Sequence, residues 1–203
     1  MNNLINTSKK LDTFFKILGT VLRALSIAAL VCVALIVVAL VLKLDPKMIG
    51  TGYASVDLAF LELTVADGFA PDPRLILIQG AIVLALGFVN TVICEAGVRC
   101  IRRILDPMTQ GIPFQDEISK NLKKLAKLSI ILGIGLNLMQ LAGQIMTVVI
   151  FDLQTLLISD KITHVTANFS FDLTFLAVAA ILLLLSHIFS YGQQLQQLED
   201  ETL

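Results

Sequence analysis

Four apolar runs, none containing a single Asp, Glu, Lys or Arg, restrict what this chain can fold into more than any other feature of the sequence. They are Ala24–Leu42, Leu75–Cys94, Leu128–Phe151 and Leu173–Tyr191, of 19, 20, 24 and 19 residues. At 1.5 Å per residue a helix of that length crosses a hydrocarbon layer of about 30 Å. Inside hydrocarbon every backbone polar group must be satisfied within the segment, so the runs are read as helices rather than strands. All 15 basic and all 16 acidic residues lie outside them, and the chain as a whole is 56% hydrophobic. A soluble domain of 203 residues with a mean hydropathy of +0.85 would leave too much apolar surface uncovered. The predicted fold class is an all-α integral membrane protein, a four-transmembrane-helix bundle.

The first run is tested against a cleavable signal. Lys9, Lys10, Lys16 and Arg23 form a basic region ahead of it, but the run is long and ends in Val-Leu-Lys-Leu-Asp-Pro, without a small-x-small cleavage site. It is therefore read as a retained span.

Orientation follows from the basic residues. Four precede the first span, and seven (Arg99, Arg102, Arg103, Lys120, Lys123, Lys124, Lys127) lie between the second and third. The first external segment holds three, the second holds one, and the tail holds none. The positive-inside rule then puts both termini and the middle loop in the cytoplasm, and the protein is expected in the cell (inner) membrane. Three cysteines, Cys32, Cys94 and Cys100, sit in or beside spans and read as small apolar packing residues rather than a disulfide framework.

Between the spans the chain reads as one membrane domain over 1–203. Residues 8–23 place Leu11, Phe14, Phe15, Leu18 and Leu22 on one side, an amphipathic helix at the inner interface. The external loops, 43–74 and 152–172, each contain a stretch with β-forming or alternating character, and the two are expected to pair into a small β element. The cytoplasmic hairpin, 95–127, extends the second helix to Leu105. Asp106-Pro107 is expected to break it, and a new helix begins near Gln115-Asp116 and runs on into the third span. The cytoplasmic tail, 192–203, continues the last helix and ends with Glu199, Asp200 and Glu201.

Two short signatures stand out. One is the turn Asp106-Pro107-Met108-Thr109-Gln110-Gly111-Ile112-Pro113-Phe114, followed by Asn121-Leu122-Lys123-Lys124-Leu125-Ala126. The other is the ending Tyr191-Gly192-Gln193-Gln194-Leu195-Gln196-Gln197-Leu198-Glu199-Asp200-Glu201-Thr202-Leu203. Together they resemble a family of bacterial four-span membrane proteins of unknown function, with a PMTxGxPF-like turn and a YGxxLQxExDxT-like ending. Leu198 stands where that pattern has an acidic residue. Members of the family are often encoded beside a small Xre-like helix-turn-helix regulator, so the resemblance implies a regulatory membrane partner.

Read from the residues alone, the turn has two prolines that fix φ, a permissive glycine and an apolar tip of Met108, Ile112 and Phe114. Such a tip can pack within the protein, dock a partner or touch lipid. Pro107, Met108, Thr109, Gly111, Ile112, Pro113 and Phe114, with Glu199 and Asp200, are the candidate partner-docking residues. The basic residues of the hairpin set topology and meet anionic headgroups; with no aromatic platform among them, direct nucleic-acid contact is not expected.

Within the membrane, Gly133, Asn137, Gln140, Gln144 and Thr147 form one stripe on the third span. Asn90, Asn137, Gln140, Gln144 and His187 are the candidate intramembrane polar cluster, read either as packing hydrogen bonds or as a small ligand or proton site with His187 titrating. No HExxH, GxSxG, P-loop or CxxC pattern occurs, and no catalytic, cofactor-binding or metal-ligating residues are assigned. The expectation is a non-enzymatic membrane protein that docks a soluble cytoplasmic regulator and has lipid and a second copy of itself among its partners. The alternatives are a small permease or transporter subunit, and a structural or immunity-type membrane protein.

Overall fold

The computed structural model describes residues 2–42, 55–57, 62–64, 73–109, 116–150 and 171–202. Four long helices carry the four apolar runs: α1 (Asn2–Val41), α2 (Pro73–Thr109), α3 (Asp116–Ile150) and α4 (Thr174–Thr202). Each is long and apolar enough to cross a bilayer, and the chain is an all-α, multi-pass membrane protein. The ends follow local chemistry. Pro73, which has no N–H to leave unsatisfied, opens α2. Asp116 and Glu117 occupy the first turn of α3, where the helix dipole favours acids. The Asp172 carboxylate accepts the Thr174 N–H at 2.8 Å and caps α4.

Residues 8–23 lead into the first span as the first part of α1, which runs unbroken across Arg23. One expectation changes. Asp106-Pro107 does not break α2, because Pro107 sits inside its last turn. There a missing N–H removes only one hydrogen bond from a helix that is ending anyway. The Thr109 hydroxyl donates to the Asp106 carbonyl at 2.8 Å and closes that turn.

In the segment between α1 and α2, β1 (Ser55–Asp57) pairs antiparallel with β2 (Glu62–Thr64), with Val56 opposite Leu63. The β element forms within one loop. The second loop, 152–170, lies outside the described residues, and so does any pairing between the two.

The chain gathers into two compact units. One comprises 1–28, 88–137 and 171–203, the other 29–87 and 138–170. In the first, α1 runs antiparallel to α2: a Cβ on Gly19 would lie 3.5 Å from Val98. Similarly α2 meets α3 at Gly97 and Leu125, 3.6 Å by the same measure, and α3 meets α4 at Gly133 and Phe175. In the second unit, Gly80 of α2 faces Ile36 of α1 and Gly87 faces Met139 of α3. Small residues at these crossings let backbones approach closely, the usual way of packing helices where lipid removes the hydrophobic drive between them.

The buried apolar side chains are unevenly placed. Among the described residues, Val98, Cys100, Leu105, Ile118, Leu122 and Ala126 belong to the hairpin ends of α2 and α3, Ile150 to the other end of α3, and Ala179 to α4. The apolar runs themselves turn most of their large side chains outward, Leu35, Val89, Ile131 and Leu184 among them. Lipid solvates such faces at no cost, so helices in a membrane need not hide them.

Candidate functional site

The unit that includes the hairpin is held by polar contacts between helices. The Arg23 guanidinium grips one Glu95 oxygen through two nitrogens, at 2.7 and 3.1 Å. Arg102 reaches Asp12 at 2.9 Å. Arg23 and Arg102 therefore tie α1 to α2. Glu95 is the first residue beyond the second apolar run, and the Arg23 hydrogen bond holds its carboxyl below the usual range.

In the same unit, α3 and α4 meet at two serines. The Ser119 hydroxyl donates to the Ser186 carbonyl at 3.0 Å, the Ser186 hydroxyl to the Ser119 carbonyl at 2.9 Å, and the two hydroxyl oxygens are 2.9 Å apart. Ser186 is fully enclosed and Ser119 nearly so. Each serine satisfies the other's backbone, which a pair of alanines could not do. Neither serine was singled out from sequence; the missed signal is a polar residue amid LLLL-S-HIF in α4, facing another in an otherwise cationic stretch of α3.

Of the candidate docking residues, Pro107 is buried while Met108 and Thr109 are half-buried. Gly111, Ile112, Pro113 and Phe114 lie outside the described residues. Glu199 and Asp200 fall on the last turns of α4. The described part of the turn thus packs into the end of α2 instead of standing free.

The five candidate polar residues do not form one cluster. Asn137 reads the peptide at the start of α4: its Oδ1 accepts the Asp172 N–H, and its Nδ2 donates to the Asp172 carbonyl, each at 2.9 Å. It also donates to Gly133 of its own helix. Asn90 instead faces Gly135, where a Cβ on the glycine would collide with the amide. Positions 135 and 137 are about 200° apart around α3, so Asn90 and Asn137 lie on different faces of it. His187 is exposed and its Nδ1 contacts the Leu183 carbonyl at 2.8 Å within α4. It lies some fifteen residues from Asp172, too far along α4 to join Asn137.

Gln140 is exposed and Gln144 half-buried. The partner of the third-span stripe in the second unit is a residue not anticipated for that role, Gln79 of α2. It donates to Thr147 Oγ1 at 3.2 Å and to the Gly143 carbonyl at 3.4 Å.

Asn90 is buried, and neither of its amide atoms has a hydrogen-bond partner. Many other polar side chains in these helices bond the carbonyl one turn back, as Thr13, Thr20, Asn121 and Thr147 do. Among the described residues no group of three or more His, Cys, Asp or Glu is placed to hold a metal ion. The three cysteines are free thiols.

Fold and contacts together define a polytopic membrane protein in which most of the buried apolar side chains, among the described residues, lie at the end that carries the basic hairpin. No family model, curated protein or solved structure matches the chain.

Proposed function

We propose that this protein is a non-enzymatic, regulatory membrane protein of the bacterial inner membrane that holds a soluble regulator at its cytoplasmic face. The observation that supports this most directly is where the packing lies. Among the described residues, six of the eight buried apolar side chains sit on the hairpin ends of α2 and α3. Ion pairs to α1 and the reciprocal serine pair to α4 fix the same end. A protein whose only task is to cross the bilayer needs little order there, whereas a docking surface needs rigid elements beneath it. The basic hairpin and the acidic end of α4 would give that surface opposite charges for a partner to read. The resemblance to four-span proteins encoded beside helix-turn-helix regulators points to a small DNA-binding protein as the partner.

The test is an affinity purification from mildly solubilised native membranes, repeated with Met108, Ile112 and Phe114 changed to Ser. A small DNA-binding protein recovered with the native chain and lost with the variant supports the reading. Recovery of membrane subunits alone refutes it.

A second reading, a small permease or transporter subunit, rests on Gln140, a polar side chain exposed in the middle of the α3 apolar run. Replacing Asn137, Gln140 and Gln144 by Leu separates the two. Substrate flux would be lost from a permease, while a docking protein would keep its partner.

A further inference from the structure

The outward side of α3 changes character in one step. Lys120, Lys123, Lys124, Lys127, Ile131 and Ile134 recur at helical intervals of three and four, so they share one face. All six are exposed, and Ile118 and Leu122 are buried on the opposite side. The face is cationic as far as Lys127 and apolar from there on, because the third run opens at Leu128. Gly97 of α2 lies against Leu125, which brings Glu95, the first residue beyond the second run, level with Lys127. Two helices thus end their apolar length together, and the lysines fill the next 10 Å or so, where headgroups lie.

These lysines lack the carboxylates that occupy the arginines. Arg23 is held by Glu95 and Arg102 by Asp12. Lys120 reaches only Asp116 of its own helix, at 3.4 Å. Among the described residues Lys123, Lys124 and Lys127 make no ion pair. The acids of α4 are out of reach. α4 runs antiparallel to α3, with Ser186 beside Ser119 and Phe175 beside Gly133. Glu199 therefore lies thirteen residues, about 20 Å, past Ser186 and away from the apolar run of α3, whereas the three lysines lie between Ser119 and that run.

We propose that this face of α3 is a site for an anionic phospholipid of the surrounding leaflet, with Lys123, Lys124 and Lys127 around its phosphate and its acyl chains along Ile131 and Ile134. Lysine ammonium groups bind phosphate as point charges, and basic clusters at a span boundary take anionic headgroups. The order of charge and hydrocarbon along the face selects the occupant. A phospholipid matches both halves, whereas free phosphate or an acidic peptide would match only the lysines. The site is independent of what, if anything, docks at the far end of the hairpin.

The chain has no tryptophan, so Ile131→Trp in the full protein gives a single reporter. It is reconstituted in phosphatidylcholine vesicles holding a small, equal share of brominated phosphatidylglycerol or brominated phosphatidylcholine. Ile27→Trp is the control: Ile27 is exposed and stands four residues inside Arg23, as Ile131 stands four inside Lys127. The anionic lipid should quench the Ile131 reporter several-fold more effectively than the neutral one, and the two should be nearly equal at Ile27. Lys123→Gln, Lys124→Gln and Lys127→Gln together should abolish the preference. Lys9→Gln, Lys10→Gln and Lys16→Gln, which remove the same charge from α1, should leave it, and so should added inorganic phosphate. Equal preference at both reporters, a preference that survives loss of the α3 lysines, one lost equally with the α1 lysines, or displacement by inorganic phosphate would each overturn the proposal.

Discussion

Substitution of Ser186 tests the packing of α4 on α3 at its tightest point. The side chain is fully enclosed, and each of the two serine hydroxyls has one proton, given to the other residue's carbonyl. Ser186→Ala deletes one of these bonds and leaves the Ser119 carbonyl unpaired by it. Side-chain hydrogen bonds between membrane helices are worth about 0.6–1.7 kcal/mol, so the expected loss is about 1 kcal/mol. Ser186→Leu deletes the same bond and forces additional carbon atoms into a site with no free surface. Overpacking of this kind adds about 1–3 kcal/mol, for a combined loss of about 3 kcal/mol. In a chain of this size each kcal/mol moves the midpoint of thermal unfolding by about 2–4 °C. The alanine variant should then melt about 2–4 °C lower and the leucine variant about 6–12 °C lower, read by thermal unfolding in one detergent. His187→Leu is the control, since its neighbouring side chain is exposed and bonded only within α4; it should stay within about 0.5 kcal/mol of the native protein. Equal shifts for Ser186→Leu and His187→Leu would refute the assigned face of α4 and the register with α3.

Two glycines of α3 should respond in opposite ways. A Cβ at Gly133 collides with Phe175, whereas one at Gly143 meets nothing within 4 Å. Gly133→Ala should destabilise by about 1–3 kcal/mol, and Gly143→Ala should be neutral or stabilise by up to about 1 kcal/mol; the same thermal assay reads both. Asn90→Leu removes two buried, unpartnered amide atoms, so it should leave stability unchanged or raise it; a clear loss would show that the amide has a partner in the membrane. The Arg23–Glu95 contact should depend on pH in one direction. A carboxyl held below its usual value stabilises the folded state above the ordinary Glu pKa of about 4.3 and loses that contribution as pH falls through the lowered value. The distance between spin labels at Thr20 and Arg99 should therefore stay narrowly distributed from pH 8 to 5 and broaden only in stronger acid. Broadening already at pH 6 would contradict the assignment.

The spans were legible because hydrocarbon imposes a length and forbids charge, and both leave their mark in one dimension. The start of α3 near Gln115-Asp116 and its unbroken passage into the third span were legible too, from the apolar period of Ile118, Leu122 and Leu125 after the Pro113 turn. Pro107 was misread because proline is costly only in a helix interior, and nothing local marks where an interior ends. The polar cluster failed for a different reason. Neither the register nor the angle between helices can be counted from one segment, so Asn90 meets Gly135, Asn137 meets Asp172, and His187 lies beside neither. The role of Gln79 is not legible in the second run, because it depends on Thr147 and Gly143 being opposite it. Ser119 and Ser186 are 67 residues apart, and no pattern in either segment announces the other.

The docking account depends above all on the basic end of the helices facing the cytoplasm. The direct measurement is reaction of a membrane-impermeant thiol reagent with single cysteines at Thr109, Gln196, Gly52 and Lys161 in sealed right-side-out and inverted vesicles. The account predicts labelling of Thr109→Cys and Gln196→Cys only in inverted vesicles, and of Gly52→Cys and Lys161→Cys only in right-side-out ones. The reverse pattern, or Thr109 and Gln196 on opposite sides, would contradict it.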